Sequence, residues 1–552
     1  MLLQRTRAHH TAEQTQPQTT CSSMLPVLGI WLSALLTVIL AVLSLVWRPL
    51  FWRQLGVPVM NCPLPLVGDV APVVLGRYQM GELLHHCYKR GHGHQLIGLF
   101  CFDQPLLLVR DPVIASYILS TDFSSFVNRN FHLSPDTDPL VGRGLLALRG
   151  NRWRQTRMRL TPTFTLRNMR NLFHVVDYIS RQLTLYVETA AAKHTEAVIE
   201  LREMSACFMT DIVGMAFLGI ESESLRDNTA PLRVNLKQQM QFSNWRYIKL
   251  MLAFLAPKLR DFLRLSISVP EVDNFIRDVV CKVLEYRKRH KVKHGDLLDI
   301  LMRVQKRNYM TDEMLSVNKN TNESISSRDP HFWMDNEDIV AQVFIFLVAG
   351  FETSSSTMMF TLYELAQHPH VQDKLRHNIV TSLSKHDGKM TYDAILEMTY
   401  LHMVIAETLR LYPPLPFIDR EVTKDYVIPG TGIGLPKGMG VVVSLLGLHR
   451  DALFWDNPEE FVPERFNRQK QNKRPNYVYM PFGIGPRNCI GMRMGQMQIR
   501  VGIAHIMANF SVHLAPSTPN SLQMDPSHAV LTPRGALPLL FKKLKPFPAM
   551  KQ

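Results

Sequence analysis

The chain has 552 residues, 46% of them hydrophobic, which is ample material for a large core, and its length alone suggests two to four domains. Its seven cysteines (Cys21, Cys62, Cys87, Cys101, Cys207, Cys281 and Cys489) are scattered, with no CxxC pair and no His cluster at zinc-like spacing, which argues against a disulfide framework and a zinc module. The balance of 62 Lys+Arg against 47 Asp+Glu leaves a net +15 that suits acidic proteins or anionic lipid; no nucleic-acid module accompanies it, so nucleic acid is not an expected partner.

Residues 1–23 are polar and rich in Gln and Thr, which predicts a disordered extension in which Met24 offers an alternative start. Met24 to Val46 run without a charge. At about 1.5 Å per residue such a helix crosses a hydrocarbon core about 30 Å thick. The stretch is longer than a signal-peptide core and lacks a clear cleavage site, so it is read as a retained transmembrane anchor. Arg5 and Arg7 before it balance Arg48 and Arg53 after it, so charge leaves the orientation tied, and the reduced cysteines place the main body in the cytosol. Gly56, Pro58, Pro63, Pro65 and Gly68 predict a stiff, helix-breaking neck over 47–68, followed by one folded body over 69–552.

Within that body most long segments show helical spacing, and strand-like runs such as Gly440 to Leu446 are short, so the expected class is mainly α with small β-sheets. The basic run Arg287 to Lys293 reads as the solvated end of a helix. Asn318 to Asp329 reads as a surface loop whose sequon at Asn322 stays unmodified on the cytosolic side.

Trp153 and Arg157 lie four apart in a basic helical stretch, and both are donors suited to a carboxylate. A long helix is predicted from Asp335 as N-cap to the residue before Pro369, with Ala349-Gly350-Phe351-Glu352-Thr353 near its middle. Its apolar run is too short to span a membrane, so it reads as a core helix. Gly350 weakens it there, and the Thr353 hydroxyl competes for backbone carbonyls, which together open a groove for a small ligand. Glu407 and Arg410 pair on one helix face, and Arg465 in Pro463-Glu464-Arg465-Phe466 offers a second cation to the same carboxylate. Last comes Phe482-Gly483-Ile484-Gly485-Pro486-Arg487-Asn488-Cys489-Ile490-Gly491, with a helical pattern from Met492 to about Asn509. Its glycines permit close backbone approach, and a cysteine just before a helix N-terminus is favoured as thiolate.

This last run contains every fixed position of FxxGxRxCxG and resembles the haem-binding segment of the cytochrome P-450 family. Trp153/Arg157 (WxxxR), the Glu352-Thr353 pair, Glu407/Arg410 and the PERF segment follow the family order. Thr161 to Thr165 (TPTFT) looks most like the microsomal, insect detoxification-type branch. Two departures, the extension before the anchor and the altered neck Val57 to Pro63, bear on targeting. The resemblance implies a single helical domain enclosing haem b, with Cys489 as the iron ligand and Phe482 in the haem loop. It implies that Trp153, Arg157, Arg487 and Arg420 serve the haem propionates. Thr353 and Glu352 are the implied catalytic pair beside dioxygen, hydrogen-bonding it and relaying protons. Glu407, Arg410 and Arg465 are implied to be structural.

The implied activity is a haem-thiolate monooxygenase acting on a lipophilic small molecule. Its implied electron source is an NADPH-cytochrome reductase, with cytochrome b5 as a further partner, at the endoplasmic reticulum membrane with the body facing the cytosol. A haem-thiolate isomerase or dehydratase, and a haem sensor without turnover, are the alternatives; the Glu352-Thr353 pair argues against the first. Candidate pocket walls are Phe131 to Leu145, Phe208 to Phe254 and Pro414 to Ile418, and Arg149, Arg152, Arg154 and Arg159 are candidates for a basic docking face.

Overall fold

The computed structural model describes residues 24–59, 64–65, 67–102, 104–191, 196–306, 334–471 and 474–545. The extension 1–23 and the Asn318–Asp329 segment with Asn322 lie outside the described residues. The helices that position the site are α1 (Met24–Gln54), α2 (Gly150–Leu160), α3 (Leu166–Ala191), α4 (Leu201–Val213), α5 (Pro231–Met240), α6 (Asn244–Leu255), α7 (Pro257–Phe262), α8 (Pro270–His290), α9 (Asn336–Gln367), α10 (Thr399–Leu411) and α11 (Met492–Asn509). Among the described residues nine short strands accompany them: β1 (Leu96–Cys101), β2 (Gln104–Val109), β3 (Glu196–Glu200), β4 (Phe417–Glu421), β5 (Tyr426–Val427), β6 (Gly434–Leu435), β7 (Gly440–Ser444), β8 (Phe510–Leu514) and β9 (Pro538–Lys543). They form sheets in the orders β1-β2-β7-β4, β3-β9-β8 and β5-β6, so the chain is mainly α with small sheets.

The central helix α9 starts and stops for the reasons the sequence offers. Asp335 accepts from the Asp338 N–H at 2.6 Å, and Asp338 accepts back from the Asp335 N–H in a capping box. The helix ends at Gln367, two residues before Pro369, which disfavours helical backbone at His368. Ile339–Leu347 and Ser354–Ala366 are buried on every face, as expected of a core helix packed against α4, α8, α10 and α11. It is also the described helix that is long and apolar enough to cross a membrane by composition, with 67% of its apolar window buried.

The start of the chain differs from expectation. Helix α1 does not stop at the apolar stretch but runs through Pro49 to Gln54. Its last turns pack onto β1: Trp52 is fully buried, its indole fills the space a Cβ at Gly98 would need, and Trp47 meets Phe100 edge-on at 5.4 Å. Arg48 donates to the carbonyls of Leu64 and Phe102 at 2.8 and 2.6 Å. The predicted neck therefore begins as a docked helix end. Leu32, Leu35, Leu36, Val38 and Ile39 higher on α1 are exposed.

The basic run is also different in part. Arg287 is buried on α8 and its guanidinium bonds Asp296, Asp299 and the Leu218 carbonyl. The two aspartates follow the helix in sequence, so the run folds back on its own acidic loop and only its later residues face solvent.

Candidate active site

Residues 480–491 form a tight loop ahead of α11. The Gly483 N–H donates to the Met480 carbonyl at 2.8 Å, Asn488 N–H to Gly485 at 3.1 Å, and Cys489 N–H to Phe482 at 2.8 Å. Gly483 and Gly485 both have positive φ, +69° and +72°. At Gly485 a Cβ would lie 2.0 Å from the Leu119 carbonyl oxygen, so this glycine is required by contact with protein backbone as well as by conformation. At Gly483 nothing lies closer than 3.6 Å to such a Cβ, so there the positive φ alone calls for glycine. Phe482 is half-buried against the core.

Among the described residues Cys489 is the exposed cysteine; Cys87, Cys101 and Cys207 are buried and Cys281 is intermediate. It nonetheless lies deep in the protein, so burial pushes the thiol up, opposed by a hydrogen bond from the Gly491 N–H and by the charges of Arg157 and Arg129. The net direction is upward. The protein charges alone do not favour the thiolate as the helix-terminus argument anticipated; a metal bound at the sulfur would supply the difference.

Four arginines converge beside this loop. Arg157 on α2 forks onto Asn488, donating to its backbone carbonyl and its side-chain oxygen at 2.8 Å each. Arg487 donates to the Val127 and Leu148 carbonyls at 2.6 Å and lies 4.2 Å over the buried Trp153 ring. Arg420 on β4 is buried; it donates to the Asp419 carbonyl at 2.7 Å, and its Nε has no partner. Arg129, which sequence reasoning missed, bonds Asp419 at 3.2 Å. Burial first, and then the charge of Arg129, lower Arg487 to about 8 and Arg420 to about 9. Asp419, the carboxylate that opposes them, already accepts from Arg129 and from the Phe131 N–H. A cluster with this surplus of buried cations fits a ligand that carries its own carboxylates.

Across the site, α9 changes character. Between its two buried stretches, Ala349 is exposed and Val348, Gly350, Glu352 and Thr353 are intermediate, so the core helix opens a window of about two turns. The helix remains unbroken there, and Thr353 Oγ donates to the Ala349 carbonyl at 2.8 Å. Gly350 is tight on the other side, where a Cβ would meet Val213 and Phe217 of α4 and the segment after it at 3.0 and 3.3 Å. Gln498 on α11 donates to the Gly350 carbonyl at 2.9 Å and to Ser354 Oγ. This second missed residue pins the window against the helix that begins just after Cys489.

Glu352 faces a cavity of about 390 Å³ lined also by Arg202, Glu203, Arg233, Lys237 and His528. Burial raises its carboxyl to about 7, against the opposing charges of Arg233 and Arg202. Away from the site, Glu407 is fully buried and accepts from Arg410 at 2.7 and 2.8 Å, from Arg465 at 3.2 Å and from the Val462 N–H at 2.9 Å. Both arginines spend their remaining donors on carbonyls of residues 449–460.

Phe131, Phe254 and Phe417 do meet, with ring centroids 4.4 and 5.7 Å apart. Phe208 does not join them: it packs against Gly502 of α11 and is core. Of the proposed docking arginines, Arg149 pairs with Glu421 and Arg152 with Asp338, whereas Arg154 is exposed.

Among the described residues, an exposed cysteine in a glycine-shaped loop, a cationic cradle and a helical window together fit a haem-thiolate protein. The cytochrome P-450 family model matches residues 58–540. Cytochrome P-450 6k1 of Blattella germanica is 35% identical over 494 residues, covering 89% of this chain and 93% of that protein. Cytochrome P-450 6a2 of Drosophila melanogaster is 37% identical over 501 residues, covering 90% and 95%. Cytochrome P-450 9e2 of Blattella germanica is 31% identical over 507 residues, covering 89% and 94%. The chain belongs to the cytochrome P-450 family and is a cytochrome P-450 monooxygenase, similar to these insect proteins.

Proposed function

We propose that the enzyme inserts one oxygen atom from O2 into a lipophilic small molecule, drawing single electrons from an NADPH-dependent flavoprotein reductase, with cytochrome b5 as a second donor. The observation that carries this reading is the placement of the accessible Cys489 loop and the Gly350–Thr353 window on two helices pinned together by Gln498. Bound haem b would be held by Cys489 and supply oxygen activation, with electron density donated by the sulfur. Arg129, Arg157, Arg420, Arg487 and Trp153 would supply donors for its carboxylates.

The protein's own part is positioning and proton supply. Thr353 Oγ gives its proton to Ala349 and keeps its lone pairs for a hydrogen bond from water or ligand. Glu352, half-protonated near neutrality beside a polar cavity, both takes up and gives protons. The aromatic wall of Phe131, Phe254 and Phe417 suits an apolar substrate. The exposed apolar face of α1 suits insertion in the endoplasmic reticulum membrane, with the body in the cytosol and Arg154 available to an acidic redox partner.

The reduced carbon-monoxide difference spectrum tests the ligand. A thiolate-type Soret band is expected in the parent and absent in Cys489→Ala. With reductase and NADPH under labelled O2, one labelled oxygen is expected in the product. A product formed without NADPH would instead mark an isomerase, and haem binding without any product a sensor.

A further inference from the structure

The cavity of about 390 Å³ that Glu352 faces is larger than proton supply alone requires. Its walls are the start of α4, the helix α5, the residues 528–536 ahead of β9, and one stripe of α9 formed by Phe351, Glu352, Ser355, Ser356 and Met359. Thr353 does not line it, being turned about 100° further round the helix than Glu352. A molecule held in this cavity therefore lies beside the window and not in front of it.

The charges on these walls do not balance. Glu200 is spent on backbone, accepting from the Glu203 N–H at 2.7 Å and the Leu537 N–H at 3.1 Å. Glu203 is shared by two cations, Arg233 at 3.0 Å and Lys237 at 3.1 Å. Arg202 donates to the Pro533 carbonyl, its Nε is buried without a partner, and among the described residues no carboxylate bonds it. When Glu352 is protonated, the cations Arg202, Arg233 and Lys237 thus face only Glu200 and Glu203, and Arg202 is the charge left over. Burial lowers His528, which leans on Asp525 at 3.5 Å, so it adds no charge above neutrality. A half-buried cation in this position is stabilised by an acceptor that arrives from outside. The remaining lining is apolar, with Met240, Phe351 and Met359 prominent.

We propose that this cavity is a binding site for a small amphiphilic carboxylate, distinct from the substrate pocket, with the carboxylate on Arg202 and Lys237 and the apolar body against Met240, Phe351 and Met359. Lys237 has donors to spare beyond its bond to Glu203. The ligand's charge takes the place that an ionised Glu352 would fill, so the protonated form of Glu352 binds it better and binding takes up a proton. The affinity is full below the value of about 7 at which Glu352 titrates and falls above it. The neighbours move away from that range: Glu203, against burial, is lowered by Arg233 and Lys237, Asp525, against burial, by Ser527, and burial raises Cys207 to about 12. A bound carboxylate also moves upward the pH at which turnover declines. That last consequence rests on the place of Glu352 in the proton path; binding itself does not.

The test is calorimetric titration of the full haem-loaded chain with phenylacetate, beside phenylacetamide as its uncharged isostere. Phenylacetate is expected to bind about tenfold more tightly at pH 6 than at pH 8, the ratio set by one group titrating near 7, with proton uptake read from the buffer dependence of the heat. The amide is expected to bind at least about tenfold more weakly at pH 6. Arg202→Gln should weaken phenylacetate by a similar factor, Arg202→Lys should recover most of the loss, and Glu352→Gln should bind it equally at the two pH values. The Soret band should stay in place throughout, because the ligand does not reach the iron. No binding at pH 6, equal affinity for acid and amide, or a folded Arg202→Gln that binds like the parent would each overturn the site. So would a Soret shift accompanied by oxygenated phenylacetate, which would put the probe in the substrate pocket. Should Arg202→Gln fail to fold, the acid–amide comparison and the pH ratio in the parent, with its loss in Glu352→Gln, decide the matter. If binding behaves as expected but the pH profile of turnover ignores saturating phenylacetate, the site stands and Glu352 leaves the proton path.

Discussion

A carboxyl held at about 7 inside a protein has consequences for both stability and turnover. Glu352 owes that value to burial, and its ordinary value is 4.5. Between these two values the folded chain binds a proton that the unfolded chain has lost, so stability falls as pH rises through the window and the full deficit is present above 7. Glu352→Gln removes the deficit. Its stability, followed by melting, is expected to gain on the parent from about pH 4.5 to about 7 and then level, by ~1–2 kcal/mol after allowing for partial solvent access. Turnover should move the other way: in the parent it declines above pH 7 as the carboxyl loses the proton it supplies, and in Glu352→Gln it is low and has lost that inflection. A variant that kept both the rate and the inflection would remove Glu352 from the proton path. Glu407 presents the opposite case, a buried carboxylate satisfied by two arginines and a backbone N–H. Glu407→Gln leaves Arg410 and Arg465 short of a counter-charge and is expected to cost ~3–5 kcal/mol in urea unfolding, with haem yield falling in step.

Helices α9 and α11 were legible in the sequence because their ends carry local chemistry: the Asp335–Asp338 box and Pro369 for one, the glycine loop for the other. What the helices do to each other was not legible. Gln498 has no motif around it, and its value arises only where α11 crosses α9 at Gly350 and Ser354. Arg129 and Asp419 were hidden for the same reason, being single charges on a loop and a strand that meet only when 128–131 folds beside β4. Arg287 misled because a run of cations reads as solvated until the aspartates of the next loop are seen to turn back on it. Gln498→Leu tests the crossing. Losing the bond to Ser354 is expected to cost about 1 kcal/mol in stability. Because the window then sits less firmly over the cysteine loop, a smaller fraction of NADPH electrons should appear in product and a larger one in hydrogen peroxide. Unaltered coupling would show that the helix crossing is held by packing alone.

At the scale of the whole molecule, the junction between α1 and the body separates two functions that the sequence merged into one anchor and one neck. The side chains described in the apolar stretch Met24 to Val46 are exposed, whereas Arg48 and Trp52, only a turn or two later, belong to the body through β1 and its neighbours. Two truncations should therefore behave differently. Removing residues up to Val46 is expected to move the protein from the membrane fraction toward the soluble one while leaving the thiolate-type spectrum and the melting temperature of the body unchanged. Removing residues up to Leu55 also deletes the buried Trp52 indole and the two Arg48 hydrogen bonds, and is expected to lower stability by ~3–5 kcal/mol, the range for emptying a large aromatic site. The longer truncation should show the loss even in detergent, where the membrane plays no part. If both truncations melted alike, the docking of the α1 end on β1 would contribute nothing to the fold; if the shorter truncation stayed with the membrane, the anchor would lie elsewhere, and the exposed Trp245 on α6 with Phe262 and Leu263 at the end of α7 would be the next surface to test.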